Sequence, residues 1–242
     1  MLKYICLSHI SLENDMIKTV FVDVDNTLLD FDKSSRMAME ETFRQFDITY
    51  DESVFGIFKE VNDQLWQQIE DKLITKEELW NIRFNLVFDK SGIDYKDGAL
   101  FDTKYRDNLQ NSAVPVDEAE ETLSYLSQRY TVCVTSNSFR QDMQVSRLEK
   151  AGLLKYIDKV FTSEIIGYAK PDKAFFEECI KCLDGIAPNE VMLIGDSITA
   201  DIIGGINYGL KTCWFNFYNE AISNNIKPDF IINKLSEIKN IL

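Results

Sequence analysis

Thr19-Val-Phe-Val22, running straight into Asp23-Val-Asp-Asn-Thr27, is the stretch that decides the fold. The first four residues are β-branched and aromatic, so they read as a buried strand, extending to about residue 24. Two carboxylates two residues apart would finish a core strand badly, because a buried charge is costly unless paired or bound to a metal. They are therefore expected to project from the strand's carboxyl end into a cleft, where open α/β sheets bind ligands. A metal or a reacting phosphate is the natural partner there.

Working outward, the segment from Val116 alternates helix and strand. Short apolar runs at 131–135, 159–162, 191–194, 212–215 and 229–232 are separated by helical stretches at 117–129, 140–151, 172–183 and 198–208. A last helix is predicted over 234–242. This alternation predicts a doubly wound, parallel, Rossmann-like α/β sheet. Between its first two strands, residues 34–112 show only helical spacing, over 37–46, 55–69, a segment opened by a Thr75-to-Glu78 capping box, and 97–109. The expected organisation is a core of residues 16–32 and 113–242, with a helical cap, 33–112, inserted after the first core strand. Residues 1–15 read as a leader outside the fold, with Met16 an alternative start.

The net charge of −14 opposes bulk attraction to nucleic-acid polymers or anionic membranes, and no run of 18 apolar residues suggests a membrane span. Five scattered cysteines suit free thiols in a reducing compartment, so a cytoplasmic location is expected. Cys179-Ile-Lys-Cys182 has a redox spacing, but it lies inside a helical stretch rather than at its start, and reads as two cysteines on one packed face. The single histidine, His9, falls in the leader, which excludes Ser-His-Asp catalysis and histidine-based zinc sites.

Four groups recur where core strands end: Asp23, Asp25 and Thr27; Ser136-Asn137; Lys170-Pro171, with the proline at the first position of the next helix; and Gly195-Asp-Ser-Ile-Thr-Ala-Asp201. Singly, Ser136 and Asn137 could be turn residues, Lys170 a solvated cation and Asp196 a helix cap. A parallel sheet, however, brings all four to one edge. Together they are what phosphoryl transfer through an aspartyl phosphate requires. One carboxylate attacks phosphorus, a second protonates the leaving alkoxide and then activates water, and Mg²⁺ takes hard oxygen ligands such as Asp23 and Asp196. A hydroxyl, an amide and a lysine can hold the phosphoryl oxygens, which makes Thr27, Ser136, Asn137 and Lys170 candidates.

With these motifs in place, the sequence resembles the haloacid-dehalogenase-like hydrolase superfamily, whose pattern is DxDx[TV], a Ser or Thr, a Lys, then GDxxxD. The resemblance runs in order from Lys18 to Leu242. It implies Asp23 as nucleophile, Asp25 as general acid/base, and Mg²⁺ held by Asp23, the Asp25 backbone carbonyl and Asp196. It also implies that Ser136 and Lys170 bind the phosphoryl group, that Asp201 supports the acidic site, and that the helical insert is a mobile cap. Ser138 stands where this family commonly has glycine. Segments including Val61-Asn62, Leu65-Trp66, Arg83-Phe84 and Gly167-Tyr-Ala-Lys-Pro171 further resemble YjjG-type pyrimidine 5′-nucleotidases.

The expected activity is Mg²⁺-dependent hydrolysis of a small phosphorylated metabolite, a pyrimidine nucleoside 5′-monophosphate above others. Phosphoglycolate or a sugar phosphate is the alternative substrate class, and a phosphomutase would need a water-excluding cap. A dehalogenase has no alkoxide to protonate and typically lacks the second aspartate of the first motif, so Asp25 argues against it. A receiver-type phosphate sensor is about half this length and has no helical insert. In the insert, Trp66, Trp80 and Phe84 read either as core packing or as substrate contacts. Asn62 and Arg83, polar among apolar neighbours, are expected to face the cleft and meet base or phosphate.

Overall fold

The protein is described here by a computed structural model covering residues 17–138, 140–221 and 225–242. The expected leader, with His9 and Cys6, lies outside the described residues. Six strands form one all-parallel sheet: β1 (Thr19–Val22), β2 (Thr131–Ser136), β3 (Lys159–Thr162), β4 (Val191–Gly195), β5 (Lys211–Phe215) and β6 (Phe230–Ile232). Their order is β3-β2-β1-β4-β5-β6. The chain thus winds from β1 to one side, then from β4 to the other, and the crevice where a doubly wound sheet binds its ligand opens between β1 and β4.

Strand alternation separates the two faces. Val20, Val22, Val132, Val134, Met192 and Ile194 pack on one side, against α5 (Ala119–Leu126) and the C-terminal turn. Phe21, Cys133, Val191 and Leu193 pack on the other, against Phe175, Phe176 and Cys179 of α8 (Lys173–Lys181). Burial on both faces explains why these strands read as continuous apolar runs rather than as alternating ones. The helices α6 (Gln141–Lys150), α7 (Ser163–Ile166) and α9 (Gly204–Tyr208) complete the core layers.

Between β1 and β2 lie α1 (Phe31–Gln45), α2 (Ser53–Glu70), α3 (Lys76–Ser91) and α4 (Gly98–Asn111). They have an apolar centre of their own, in which Phe43, Phe84, Phe88 and Phe101 are fully buried with ring centroids 4.7–6.2 Å apart. The capping box forms as read: Thr75 Oγ1 accepts from Glu78 N, and the Glu78 carboxylate accepts from Thr75 N. Entry to and exit from the helical layer run side by side, because Leu29 bridges Pro115, Asp30 N donates to Val114 O and Val116 N donates to Leu28 O.

Several boundaries differ from the sequence reading. β1 ends at Val22, so both aspartates lie beyond it. Pro171 precedes α8 rather than starting it, and Asp172 caps the helix through Ala174 N. The expected final α-helix is a 3-10 segment, Leu235–Asn240. The stretch read as one helix over 198–208 opens as a π-helical turn, Ile198–Ile203, before α9. Cys179 is buried, whereas Cys182 is exposed at the end of α8, so they do not share a packed face.

Candidate active site

Past β1 the chain turns sharply. Thr27, Leu28 and Leu29 all donate backbone N–H groups to Val24 O, and Asn26 adopts the left-handed conformation that asparagine tolerates, its Oδ1 accepting from Phe31 N. This turn leaves the Asp23 side chain at the head of the crevice. Asp23 N donates to Ile194 O, tying it to the neighbouring strand end.

Lys170 is the hub of the site. It is 3% exposed, which removes the reading of a solvated cation. Its Nζ donates at 2.7 Å to each of Asp23 Oδ1, Asp201 Oδ1 and Thr135 O. Burial opposes the ammonium, yet Asp201 and Asp23 outweigh it and hold the lysine above its ordinary value. Asp201 reaches this position through the π-helical turn, in which Ile202 N donates to Ser197 O and the Asp201 carboxylate accepts from Ser197 N. Gly195 is required here, since a Cβ at that position would lie 2.3 Å from Asp201 Cγ.

Asp196 does not cap the following helix; Ser197 does, accepting from Ala200 N. The Asp196 carboxylate instead enters the acidic cluster, with Thr27 Oγ1 3.5 Å from its Oδ1 and Trp214 Nε1 donating to its backbone carbonyl at 2.8 Å. Carboxylate oxygens of Asp23, Asp196 and Asp201 lie within 4.8 Å of one another. Burial, reinforced by Asp201 and Asp25, pushes the Asp23 carboxyl up to about 7 against the pull of Lys170. Burial, with Asp23 and Asp201, raises Asp196 in the same direction. One ammonium among three carboxylates leaves an excess of negative charge on hard oxygen donors, which fits a divalent cation such as Mg²⁺ held by Asp23 and Asp196.

The structure brings Asp23, Asp25, Ser136, Asn137, Lys170, Asp196, Asp201, Asn62 and Arg83 onto one cavity of roughly 320 Å³. Thr27 is buried just behind it. Asn137 is placed differently from expectation. Its side chain is committed to the backbone of Lys170, accepting from Lys170 N at 2.8 Å and donating to Lys170 O at 2.9 Å. Ser138 does not have a positive φ, so its loop makes no demand for glycine.

From the helical layer, Arg83 is likewise engaged. It pairs with the fully buried Asp102 at 2.7 Å and donates from Nη1 to Asn62 Oδ1 at 2.8 Å. Arg106 holds the other Asp102 oxygen at 2.7 Å and lies over the Trp80 ring. Asn62 and Arg83 thus line the cavity as members of a buried network. Trp66 and Trp80 are partly buried and line the cavity, whereas Phe84 packs in the helical core.

Besides Asp102 and Arg106, further residues at the site were not singled out from sequence. Gln144 Nε2 donates to Ser136 Oγ at 2.9 Å, and Arg147 Nη2 lies 2.8 Å from Asp25 Oδ1. The available signal was two polar residues on the α6 face that also carries Met143 and Leu148. Lys76, at the start of α3, crosses to the sheet domain and donates to Asn137 O and Ser163 Oγ. Burial lowers its pKa to about 8.

Comparison with known proteins places this geometry. A family model described as haloacid dehalogenase-like hydrolase matches residues 17–209. HAD-hydrolase YfnB of Bacillus subtilis is 32% identical, covering 93% of this chain and 95% of that protein. Pyrimidine 5′-nucleotidase PynA of Streptococcus pneumoniae is 31% identical, covering 93% and 97%. Pyrimidine 5′-nucleotidase YjjG of Escherichia coli is 29% identical, covering 92% and 96%. The crystal structure of YfnB bound to magnesium, described as revealing interdomain movement, superposes with a TM-score of 0.89 over 94% of this chain and 99% of that one, at 32% identity. With the acidic cluster at the sheet's switch point, the family match over most of its length and these full-length relatives, the chain belongs to the haloacid dehalogenase-like hydrolases.

Proposed function

We propose that the protein is a Mg²⁺-dependent phosphomonoesterase that forms an aspartyl phosphate on Asp23 and prefers pyrimidine nucleoside 5′-monophosphates. The observation that carries this reading is Asp23, buried at the head of the crevice, held by Lys170 and set beside Asp196 and Ser136 in one cavity. Supporting it, two relatives of about 30% identity are named pyrimidine 5′-nucleotidases and a third was crystallised with magnesium.

In this reading a carboxylate oxygen of Asp23 attacks phosphorus as the bond to the leaving oxygen breaks, and Asp25 gives that oxygen its proton. Ser136 and Lys170 hold phosphoryl oxygens while charge shifts onto them. Asp25 then takes a proton from water, whose oxygen attacks phosphorus. The bond to Asp23 breaks and phosphate leaves. Mg²⁺, held by Asp23, Asp196 and the Asp25 backbone carbonyl, would neutralise phosphoryl charge. Asp201 serves by fixing Lys170, and Asn137 by fixing the backbone that presents it.

The helical layer, residues 33–112, acts as the cap over this centre. Its Asn62–Arg83–Asp102 network and the rings of Trp66 and Trp80 bound the space left for the base. The partner is a small metabolite, since a chain of net charge −14 repels polyanions in bulk. Among the described residues the four cysteines are free thiols, which suits the reducing cytoplasm, and no helix is long and apolar enough to cross a membrane. A screen of phosphate monoesters with Mg²⁺, including dUMP, dTMP, UMP, AMP, phosphoglycolate and sugar phosphates, tests the reading. Highest kcat/KM on pyrimidine nucleotides is the expected result. Preference for purine nucleotides or phosphoglycolate would overturn the specificity, and no hydrolysis of any ester would overturn the activity.

A further inference from the structure

Arg147 sits on α6 with its side chain 1% exposed, at the edge of the active cavity. Burying a guanidinium is expensive, and an apolar side chain of similar volume is often the more stable choice. Its one ion pair among the described residues is with Asp25, Nη2 to Oδ1 at 2.8 Å. The contact lies off the hydrogen-bonding line, so among the described residues Nη2 and Asp25 Oδ1 each have no hydrogen-bond partner, and neither does Arg147 Nε. The second guanidinium nitrogen, Nη1, donates to Gln144 Oε1 at 3.1 Å. Gln144 in turn spends its amide N–H groups on Ser136 Oγ at 2.9 Å and Asp25 Oδ2 at 3.4 Å.

We propose that Arg147 and Gln144 are positioning residues that fix the direction of the Asp25 carboxylate relative to the phosphoryl group held at Ser136. The inference rests on the reading of Asp25 as the acid/base. Asp25 has 37% of its side chain exposed and without these partners could swing towards solvent. With them, each carboxylate oxygen has one α6 neighbour. Oδ1 is buried against the guanidinium, so the proton is given and taken at Oδ2, whose contact with Gln144 is a long 3.4 Å. Gln144 couples this orientation to Ser136, so that the proton-transfer group and a phosphoryl-binding hydroxyl are spaced by one amide. Two polar residues three apart on a single helix thereby set the geometry of groups contributed by the turn after β1 and by the end of β2.

The test is a comparison of leaving groups across Arg147→Met, Arg147→Lys, Gln144→Met, Asp25→Asn and the Asp25→Asn/Arg147→Met double variant, each checked for folding by its thermal transition. dUMP releases an alkoxide that needs a proton, whereas p-nitrophenyl phosphate releases a good leaving group. Acid/base catalysis is typically worth about 10²–10⁴-fold, so loss of positioning should lower kcat on dUMP by on the order of 10- to 10²-fold. The loss on p-nitrophenyl phosphate should be several-fold smaller, KM should change little, and Arg147→Lys should recover part of kcat. The double variant should be no slower than Asp25→Asn alone, because residues acting as one unit do not add. If Arg147→Met does not fold, Arg147→Lys and Gln144→Met carry the same comparison. Equal losses on both esters, with multiplicative losses in the double variant, would overturn the proposal while leaving Asp25 in its role. An Asp25→Asn variant that does not discriminate between the esters would overturn both.

Discussion

Lys170 Nζ and Asp23 Oδ1 lie 2.7 Å apart with 1% and 12% of their side chains exposed, and the same ammonium meets Asp201 Oδ1 at 2.7 Å. The lysine is thus shared between a carboxylate at the head of the crevice and one buried beneath it. Neither contact could stand alone. Asp23 without Lys170 would be an uncompensated charge in a cluster of carboxylates, and Lys170 without Asp201 would lose one of the two charges that offset its burial.

Removing that shared cation should therefore cost both stability and turnover. Lys170→Met is expected to lower unfolding free energy by about 3–5 kcal/mol in metal-free buffer, the usual penalty for breaking a buried pair from one side. Urea titration checks it. A variant as stable as the wild type would mean the carboxylates are already neutral and Lys170 does not hold them.

The proposed metal dependence carries a pH signature. The Asp23 carboxyl is raised to about 7 and Asp196 is raised in the same direction, so in this window the metal-free fold binds more protons than the unfolded chain does. Their contribution to stability is accordingly present at low pH and lost as pH rises through about 7. A divalent cation needs the deprotonated forms, so the rise in Tm on adding Mg²⁺ should be larger near about pH 8 than near about pH 5.5. EDTA should abolish activity, and Asp196→Ala should raise the Mg²⁺ requirement sharply. A Tm increment independent of pH would contradict the assignment of these carboxylates to the cation.

Asp25→Asn should slow hydrolysis by about 10²–10⁴-fold, most severely for esters with poor leaving groups. Steady-state kinetics on an alkyl phosphate and on p-nitrophenyl phosphate measure the difference. Equal losses would remove Asp25 from proton transfer.

What the sequence disclosed, and what it withheld, divides along the range of the interactions. Val20, Phe21 and Val22 announce a doubly buried strand because hydrophobicity is a local property, and the Thr75–Glu78 box announces a helix start for the same reason. Asp23, Lys170, Asp196 and Asp201 were legible because their order and spacing are shared by a family. The sequence pattern points Arg83 at the cleft but does not pair it with Asp102, nineteen residues on, since nothing local specifies which carboxylate a buried guanidinium will meet. Gln144 and Arg147 were invisible for that reason too: each is an ordinary polar residue until α6 is laid against Asp25 and Ser136. The π-helical turn at 198–203 depends on drawing Asp201 back towards Ser197 and Lys170, a tertiary demand that helical periodicity does not encode.

Specificity should map to the helical layer. Asn62→Ala is expected to reduce kcat/KM more for dUMP than for p-nitrophenyl phosphate, because it removes the Asn62 partner of Arg83 beside the space proposed for the base and leaves the phosphoryl site intact. Activity on dUMP, dTMP and UMP should exceed that on AMP and GMP. Equal loss on both esters would place Asn62 outside the base contacts.

The central claim is that Asp23 is the atom donor to phosphorus, and it is tested most directly by trapping the intermediate. Enzyme mixed with substrate and Mg²⁺, quenched in acid within the first turnovers and digested, should yield one phosphorylated peptide, with the phosphoryl group on Asp23. Asp23→Asn should fold, give no such peptide and show no turnover. A phosphorylated residue elsewhere, or near-normal hydrolysis by a well-folded Asp23→Asn, would contradict the account.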